Sequence, residues 1–164
     1  MQNLKALLER LLQNQVDFVL IGGFAGVMHG STLVTQDLDI CAAITPDNIA
    51  LLRKALEDLK PRHRMNPNFK PSFLEEPKDL AGLNNIYLET DWGILDILSQ
   101  ALPAGEFSEI KSHAIEVKLY GHSCKVISLE DLITIKSAMK RPKDLATLEE
   151  LKIIQSRQNR LKKK

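Results

Sequence analysis

Two aspartates separated by one residue stand in the run Gln36-Asp37-Leu38-Asp39-Ile40-Cys41-Ala42, which has the apolar, β-branched character of a strand. Residues i and i+2 of a strand project from one face about 7 Å apart, so Asp37 and Asp39 point the same way and repel. Asp39 also lies between Leu38 and Ile40, where an unpaired charge costs several kcal/mol. A divalent cation resolves both conflicts. An all-oxygen ligand set favours a hard ion, Mg²⁺ where substrate phosphates complete the shell, with Mn²⁺ as its substitute. Asp96, at the centre of Ile94-Leu95-Asp96-Ile97-Leu98, presents the same conflict and calls for a cation, or else for hydrogen bonds from the backbone or an arginine.

The elements that must position these acids are legible on either side of them. Phe18-Val19-Leu20-Ile21 reads as a buried strand, ended by Gly22-Gly23, where the turn needs positive φ or close backbone approach. Phe24 to His29 fits a short helix running into Gly30, and the free N–H groups at such a helix start suit phosphate. Thr35, two residues before Asp37, either orients it by hydrogen bonding or is a β-branched residue entering a strand. His29 is placed to cap the short helix, to pack in the core or to meet a nucleotide. Asn85 to Thr90 and Ile94 to Leu98 form a hairpin around Trp92-Gly93.

The glycine pair Gly22-Gly23, thirteen residues, then Asp37-Leu38-Asp39-Ile40 resembles the signature of the polymerase-β-like nucleotidyltransferase superfamily. Gly23-Phe24-Ala25 with His29-Gly30 and Thr35 is similar to the small prokaryotic members related to the toxins of AbiE-type toxin–antitoxin systems. Many of those carry an arginine two residues before the threonine, where Leu33 stands here. The resemblance implies Mg²⁺-dependent transfer of an NMP group from an NTP to a hydroxyl of RNA or tRNA, protein or a small molecule, with loss of pyrophosphate. It implies metal binding by Asp37, Asp39 and a third carboxylate on a neighbouring strand, a role that falls to Asp96 ahead of Asp91 and Glu89. Asp96 would bind a second ion and take the acceptor's proton. Gly22 and Gly23 would cradle phosphates, with Thr35 beside them. Lys136, Lys140 and Arg141-Pro142-Lys143-Asp144 resemble a Lys followed by Arg-x-Lys-Asp in those relatives. Lys136 and Lys140 would thus reach the triphosphate, with Asp144 orienting the cations. A cognate antitoxin is the implied protein partner. The rival readings are a non-catalytic nucleotide-binding or toxin–antitoxin interaction module and an antibiotic-modifying nucleotidyltransferase.

Composition suits one globular domain with a Leu, Ile, Val and Ala core: 164 residues, 44% hydrophobic, 26% charged and few aromatics. No apolar run approaches the roughly 18 residues of a membrane span, and MQNLKALLER lacks a secretory apolar region, so a cytoplasmic location is expected. Cys41 and Cys124 lack metal-site spacing and read as free buried thiols. The net charge of +1 conceals an asymmetry. Arg157, Arg160, Lys162, Lys163 and Lys164 end the chain, and the remainder has 17 basic residues against 21 acidic ones. The basic end, residues 157–164, is expected to be a frayed terminus or an RNA-phosphate contact.

The rest of the chain supplies a scaffold. Leu4, Leu7, Leu8, Leu11 and Leu12 mark an amphipathic helix over 2–14. Thr45-Pro46-Asp47 opens a helix over 46–59 with Ile49, Leu52, Leu56 and Leu59 inward. Residues 60–83, with four prolines, read as a long loop that serves as a lid or an acceptor surface, in which His63 and Arg64 face solvent or a nucleotide. A second hairpin joins 114–119 to 122–127. Ser128-Leu129-Glu130-Asp131 opens a helix over 129–140 that sets Lys136 and Lys140 on one face, and Pro142 starts a last helix over 142–159 with Leu145, Leu148, Leu151 and Ile154 inward. The fold class expected is α/β (α+β): a small mixed β-sheet with helices packed on it, one domain over 1–156, on the nucleotidyltransferase plan.

Overall fold

The computed structural model describes residues 2–163. In chain order the elements are α1 (Leu4–Gln13), β1 (Phe18–Ile21), α2 (Gly22–Met28), β2 (Asp37–Ala42), α3 (Pro46–Leu56), β3 (Arg62–His63), β4 (Asn85–Thr90), β5 (Gly93–Leu98), β6 (Gln100–Ala101), β7 (Gly105–Glu106), α4 (Phe107–His113), β8 (Ile115–Leu119), β9 (His122–Val126), α5 (Leu129–Ala138) and α6 (Pro142–Lys162). Seven strands form a mixed sheet in the order β3-β4-β5-β2-β1-β9-β8, and β6 and β7 pair separately. The antiparallel pairs β1·β2, β4·β5 and β8·β9 are joined by the parallel pairs β2·β5 and β1·β9. Among the described residues, no helix is long and apolar enough to cross a membrane.

Strand alternation divides the sheet into a dry and a wet face. Leu38, Ile40, Ile86, Leu88, Leu95 and Ile97 are all within 1% of complete burial on one face, while the alternating residues Asp37, Asp39, Tyr87, Glu89 and Asp96 are half-buried on the other. The dry face is sealed by helices whose stripes match it: Leu7, Leu8, Leu11 and Leu12 of α1, and Ile49, Leu52 and Leu56 of α3. Local chemistry fixes where those helices begin. Asn3, Thr45 and Ser128 each accept a hydrogen bond from a first-turn amide, and Pro46 and Pro142 occupy first helical positions.

Four sequence expectations meet a different outcome. Helix α3 stops at Leu56, after which Leu59 remains buried and Lys60 turns the chain with φ +51°. Helix α5 stops at Ala138 because Met139 is already extended, with ψ 97°. Arg141 must also stay extended ahead of Pro142. Lys140 therefore lies off the helix, exposed, and does not share a helical face with Lys136. In α6 the inward positions belong to Asp144 and Leu151, which leaves Leu145 54% exposed. The same helix runs through Lys162, so the basic end is helical that far.

The long segment 60–83 is anchored at several points. Its first residues form β3 against β4, Phe73 is completely buried, and Arg53 of α3 donates from Nε to the Phe73 carbonyl and from Nη2 to the Pro77 carbonyl, both at 2.7 Å. His63 bonds the Glu76 carbonyl at 2.8 Å rather than pointing into solvent. Arg53→Met removes both charged donors from these partly buried carbonyls and should cost about 2 kcal/mol. Urea unfolding would measure that loss, and limited proteolysis should show cleavage within 60–83 that the wild type resists. Unchanged stability and cleavage would show that Arg53 does not hold the loop.

Candidate active site

The register of the sheet draws the acids together. Asp39 pairs with Asp96 across the parallel strands β2 and β5, and Asp96 pairs with Tyr87 across β5 and β4. Directly paired residues share a face, so Tyr87, Asp96 and Asp39 form one transverse row on the wet side, with Asp37 two residues along β2. Ile21, opposite Asp39, is followed at once by Gly22 and α2.

Gly22 is required by this crowding. It has φ +69°, and a Cβ there would overlap Oδ2 of Asp39 and lie 2.9 Å from its Cβ. A Cβ on Gly23 would lie 3.0 Å from both Cβ and Oγ1 of Thr35. The glycine pair is thus the opening of α2 itself, which starts two residues earlier than Phe24, and it lets that opening press against β2. Thr35 donates from Oγ1 to the main-chain carbonyl of Asp37 at 2.9 Å, so it fixes the backbone that carries the carboxylate. The linker before Thr35 is pinned from α6: Glu150 accepts from the amide and the hydroxyl of Thr32, both at 2.9 Å. Leu33, where many AbiE-related proteins carry arginine, is 41% exposed beside it. His29 bonds the Ile127 carbonyl at 2.7 Å, tying the end of α2 to the segment after β9.

Burial and mutual repulsion govern the electrostatics. Burial first, then the charges of Asp96 and Asp37, push the Asp39 carboxyl up to about 6, against opposing pulls from Lys136 and Arg64. Burial also raises Asp96 above the usual carboxylate range, although a hydrogen bond from Arg64 pulls the other way. Lys136 of α5 is near enough for its charge to act on Asp39, and its own side chain is 15% exposed. It donates to Asp144 at 3.3 Å, and Arg141 donates to the same carboxylate from Nε at 2.6 Å. Asp144, 1% exposed, is held ionised below the usual range chiefly by Arg141.

Arg64, which the sequence leaves facing solvent or a nucleotide, belongs to the site through Asp96. Its Nη2 donates to both Asp96 oxygens, at 2.8 and 2.7 Å, and its guanidinium lies 5.7 Å over the Tyr87 ring. It stands thirty-two positions before Asp96, between His63 and Met65 in a stretch without a readable period, and the short β3·β4 pairing places it there. Among the described residues, no three Asp, Glu, His or Cys side chains close into a metal cage by themselves. Asp37 and Asp39 form an oxygen-only pair whose repulsion a hard cation relieves, whereas the Asp96 carboxylate already holds a guanidinium. Two grooves, of about 620 and 380 Å³, lie elsewhere and are not lined by the three acids.

No protein-family model and no curated protein sequence matches the chain. Solved structures do. The chain is similar to ANT(2'')-Ia in complex with adenylyl-2''-tobramycin, at 15% identity over 93% of this chain and 95% of that one, with a TM-score of 0.56. The solution structure of the antibiotic-resistance factor ANT(2'')-Ia gives 16% identity, coverage of 97% and 95%, and a TM-score of 0.57. The chain has a nucleotidyltransferase fold. A Thermotoga maritima protein carried as a candidate nucleotidyltransferase also aligns, at 16% identity over 96% and 91% of the two chains, but its TM-score of 0.49 is too loose to build on. At these identities the nucleotidyltransferase likeness concerns architecture, and the chemistry must be argued from the side chains.

Proposed function

We propose that the chain is a metal-dependent nucleotidyltransferase that moves an NMP group from an NTP to an acceptor hydroxyl and releases pyrophosphate. The observation that carries this reading is the pairing of Asp39 with Asp96 on adjacent parallel strands, with Asp37 on the same face and Gly22 pressed against Asp39. Asp37 and Asp39 would hold Mg²⁺ or Mn²⁺, which when bound supplies charge neutralisation at the phosphates and at the pentavalent phosphorus. Asp96, made more basic by burial, would take the proton of the acceptor hydroxyl as its oxygen bonds to the α-phosphorus and the bond to pyrophosphate breaks. The backbone at Gly22 and Gly23 would receive the β and γ phosphates, with Thr35 steadying the Asp37 main chain beside them. Lys136, held in place by Asp144, would neutralise the triphosphate, with Lys140 reaching it from the exposed linker.

The acceptor would be a hydroxyl of RNA or tRNA, of protein or of a small molecule, and the AbiE-like signature supports a cognate antitoxin as partner. A second reading, antibiotic modification, is favoured by the likeness to ANT(2'')-Ia. Against it, Arg64 on Asp96 and Lys70 on Glu89 neutralise two of the acids on that face, which leaves less negative charge to attract a polycationic aminoglycoside.

The test is transfer of label from each α-³²P-labelled NTP, with Mg²⁺ or Mn²⁺, into total RNA, protein or small molecules including aminoglycosides. Labelling should require the metal, be lost with a chelator, and be abolished by Asp37→Asn and by Asp96→Asn. No transfer to any pool, with NTP binding indifferent to both substitutions, would leave a non-catalytic binding module as the better account.

A further inference from the structure

We propose that Arg64 is a built-in substitute for a second metal ion, so that the protein's own carboxylates take one divalent cation, at Asp37 and Asp39, and not two. The inference rests on the metal-binding reading of the acidic row and concerns how this chain divides its positive charge.

The pairing of Arg64 with Asp96 has the marks of a fixed position. At its root, the Arg64 amide donates to the Tyr87 carbonyl at 3.1 Å, continuing the β3·β4 ladder by one residue, and the His63 amide donates to the Pro71 carbonyl at 3.0 Å. At its tip, one guanidinium nitrogen bridges both Asp96 oxygens, in contacts short enough for a charge-assisted pair. In between, the guanidinium lies over Tyr87, an aromatic face that also favours a cation. The Arg64 side chain is 25% exposed and that of Asp96 14%. Moving Arg64 away would leave a largely buried carboxylate without its counter-charge, a costly state.

Charge counting leads to the same arrangement. In the nucleotide-free site, the three carboxylates of Asp37, Asp39 and Asp96 are balanced by one divalent ion and one guanidinium. Lys136 is held by the buried Asp144, which it shares with Arg141, and the charge left over there would meet the incoming triphosphate. A second divalent ion at Asp96 would have to displace Arg64 or sit beside it, close to the first ion, while Glu89, the further acid on that face, is paired with Lys70. One feature fits a guanidinium seated for its charge: Arg64 Nε is buried and has no hydrogen-bond partner.

The experiment counts bound Mn²⁺, with no nucleotide present, from the free-ion EPR signal of the full-length wild type, Arg64→Ala, Arg64→Lys, Arg64→Met and Asp39→Asn. Arg64→Met keeps an apolar stem against Tyr87 in case the alanine variant fails to fold. The wild type and Arg64→Lys should bind one ion, Arg64→Ala or Arg64→Met two, and Asp39→Asn none. A second readout is the dependence of unfolding free energy on the logarithm of Mn²⁺ concentration, which should steepen in Arg64→Met because each added site contributes its own slope. Two ions on the wild type, lost with Asp39→Asn, would overturn the role of Arg64 while leaving the acidic row as a metal site. One ion on both the wild type and Arg64→Met would also overturn it, making Arg64 a structural ion-pair partner. Absence of Mn²⁺ binding in every variant would overturn this inference and the metal-binding reading together.

Discussion

Replacing Asp39 with asparagine should stop nucleotidyl transfer and stabilise the fold. On the activity side, the substitution removes one of the two carboxylates proposed to hold the metal ion, and the loss should be on the order of 10³-fold or more. The stability effect has the opposite sign. Burial and the neighbouring acids push the folded-state carboxyl up to about 6 from its ordinary 3.8, so between those values the folded chain binds more protons than the unfolded one. Its contribution is therefore most favourable below about pH 4 and is lost as pH rises through 6. At pH 7.5 and without metal, Asp39→Asn should be more stable than the wild type by about 1–3 kcal/mol, the upper figure corresponding to the full shift. The stability difference should vanish toward pH 4. Urea denaturation from pH 4 to 8, without metal and then with Mn²⁺, tests this directly. A variant less stable than the wild type at pH 7.5 would mean that Asp39 is satisfied in the apo protein and is not a strained ligand. Stability sacrificed at an active site in this way is common among enzymes.

The second large effect is expected at Gly22. Alanine there must hold φ +69° and place its Cβ into the Asp39 side chain. The left-handed backbone costs about 1–2 kcal/mol, and the overlap should bring the total to about 2–4 kcal/mol as β2 or α2 shifts to relieve it. Because the atoms in the way belong to Asp39, the two positions should be coupled. In an Asp39→Gly background the cost of Gly22→Ala should fall by about 1 kcal/mol or more, leaving the backbone term. Additive effects in that cycle would show that Gly22 serves the turn alone. Transfer activity should drop along with stability, because any movement that frees the alanine displaces a carboxylate proposed to bind the metal.

Much of this arrangement was legible in the chain. Alternation in Asp37–Ala42 and Ile94–Leu98 placed the acids on strand faces, Thr45-Pro46 and Ser128 placed helix starts, and the two hairpins were marked by Trp92-Gly93 and Tyr120-Gly121. These signals are local, and local chemistry determines them. What escaped was determined by partners outside any local pattern, some of them distant in sequence. Arg64 reaches Asp96 because β3, two residues long, pairs with β4. So short a strand has no readable period. Helix α4, seven residues with Ile110 its one buried residue, likewise presents no stripe. Asp144 holds the inward position on α6 because Lys136 and Arg141 neutralise it there. From sequence alone the neighbouring leucine was the better candidate for burial. The end of α5 at Ala138 reflects that same junction, where the chain must turn early enough to present Lys136 to Asp144.

The two thiols have a practical consequence. Cys41 and Cys124 are both free and completely buried, and burial pushes their pKa values up to about 12 and about 11, so neither is a nucleophile in the native state. Their positions differ, however. Cys41 lies on β2 between β1 and β5, in register with Val19 and Leu98, whereas Cys124 lies on the β8·β9 hairpin that forms one margin of the sheet. Alkylation at Cys41 therefore reports dissolution of the central strands, and alkylation at Cys124 reports detachment of that margin as well. Without any added label, the molecule carries two chemical clocks that time its global and its partial openings separately.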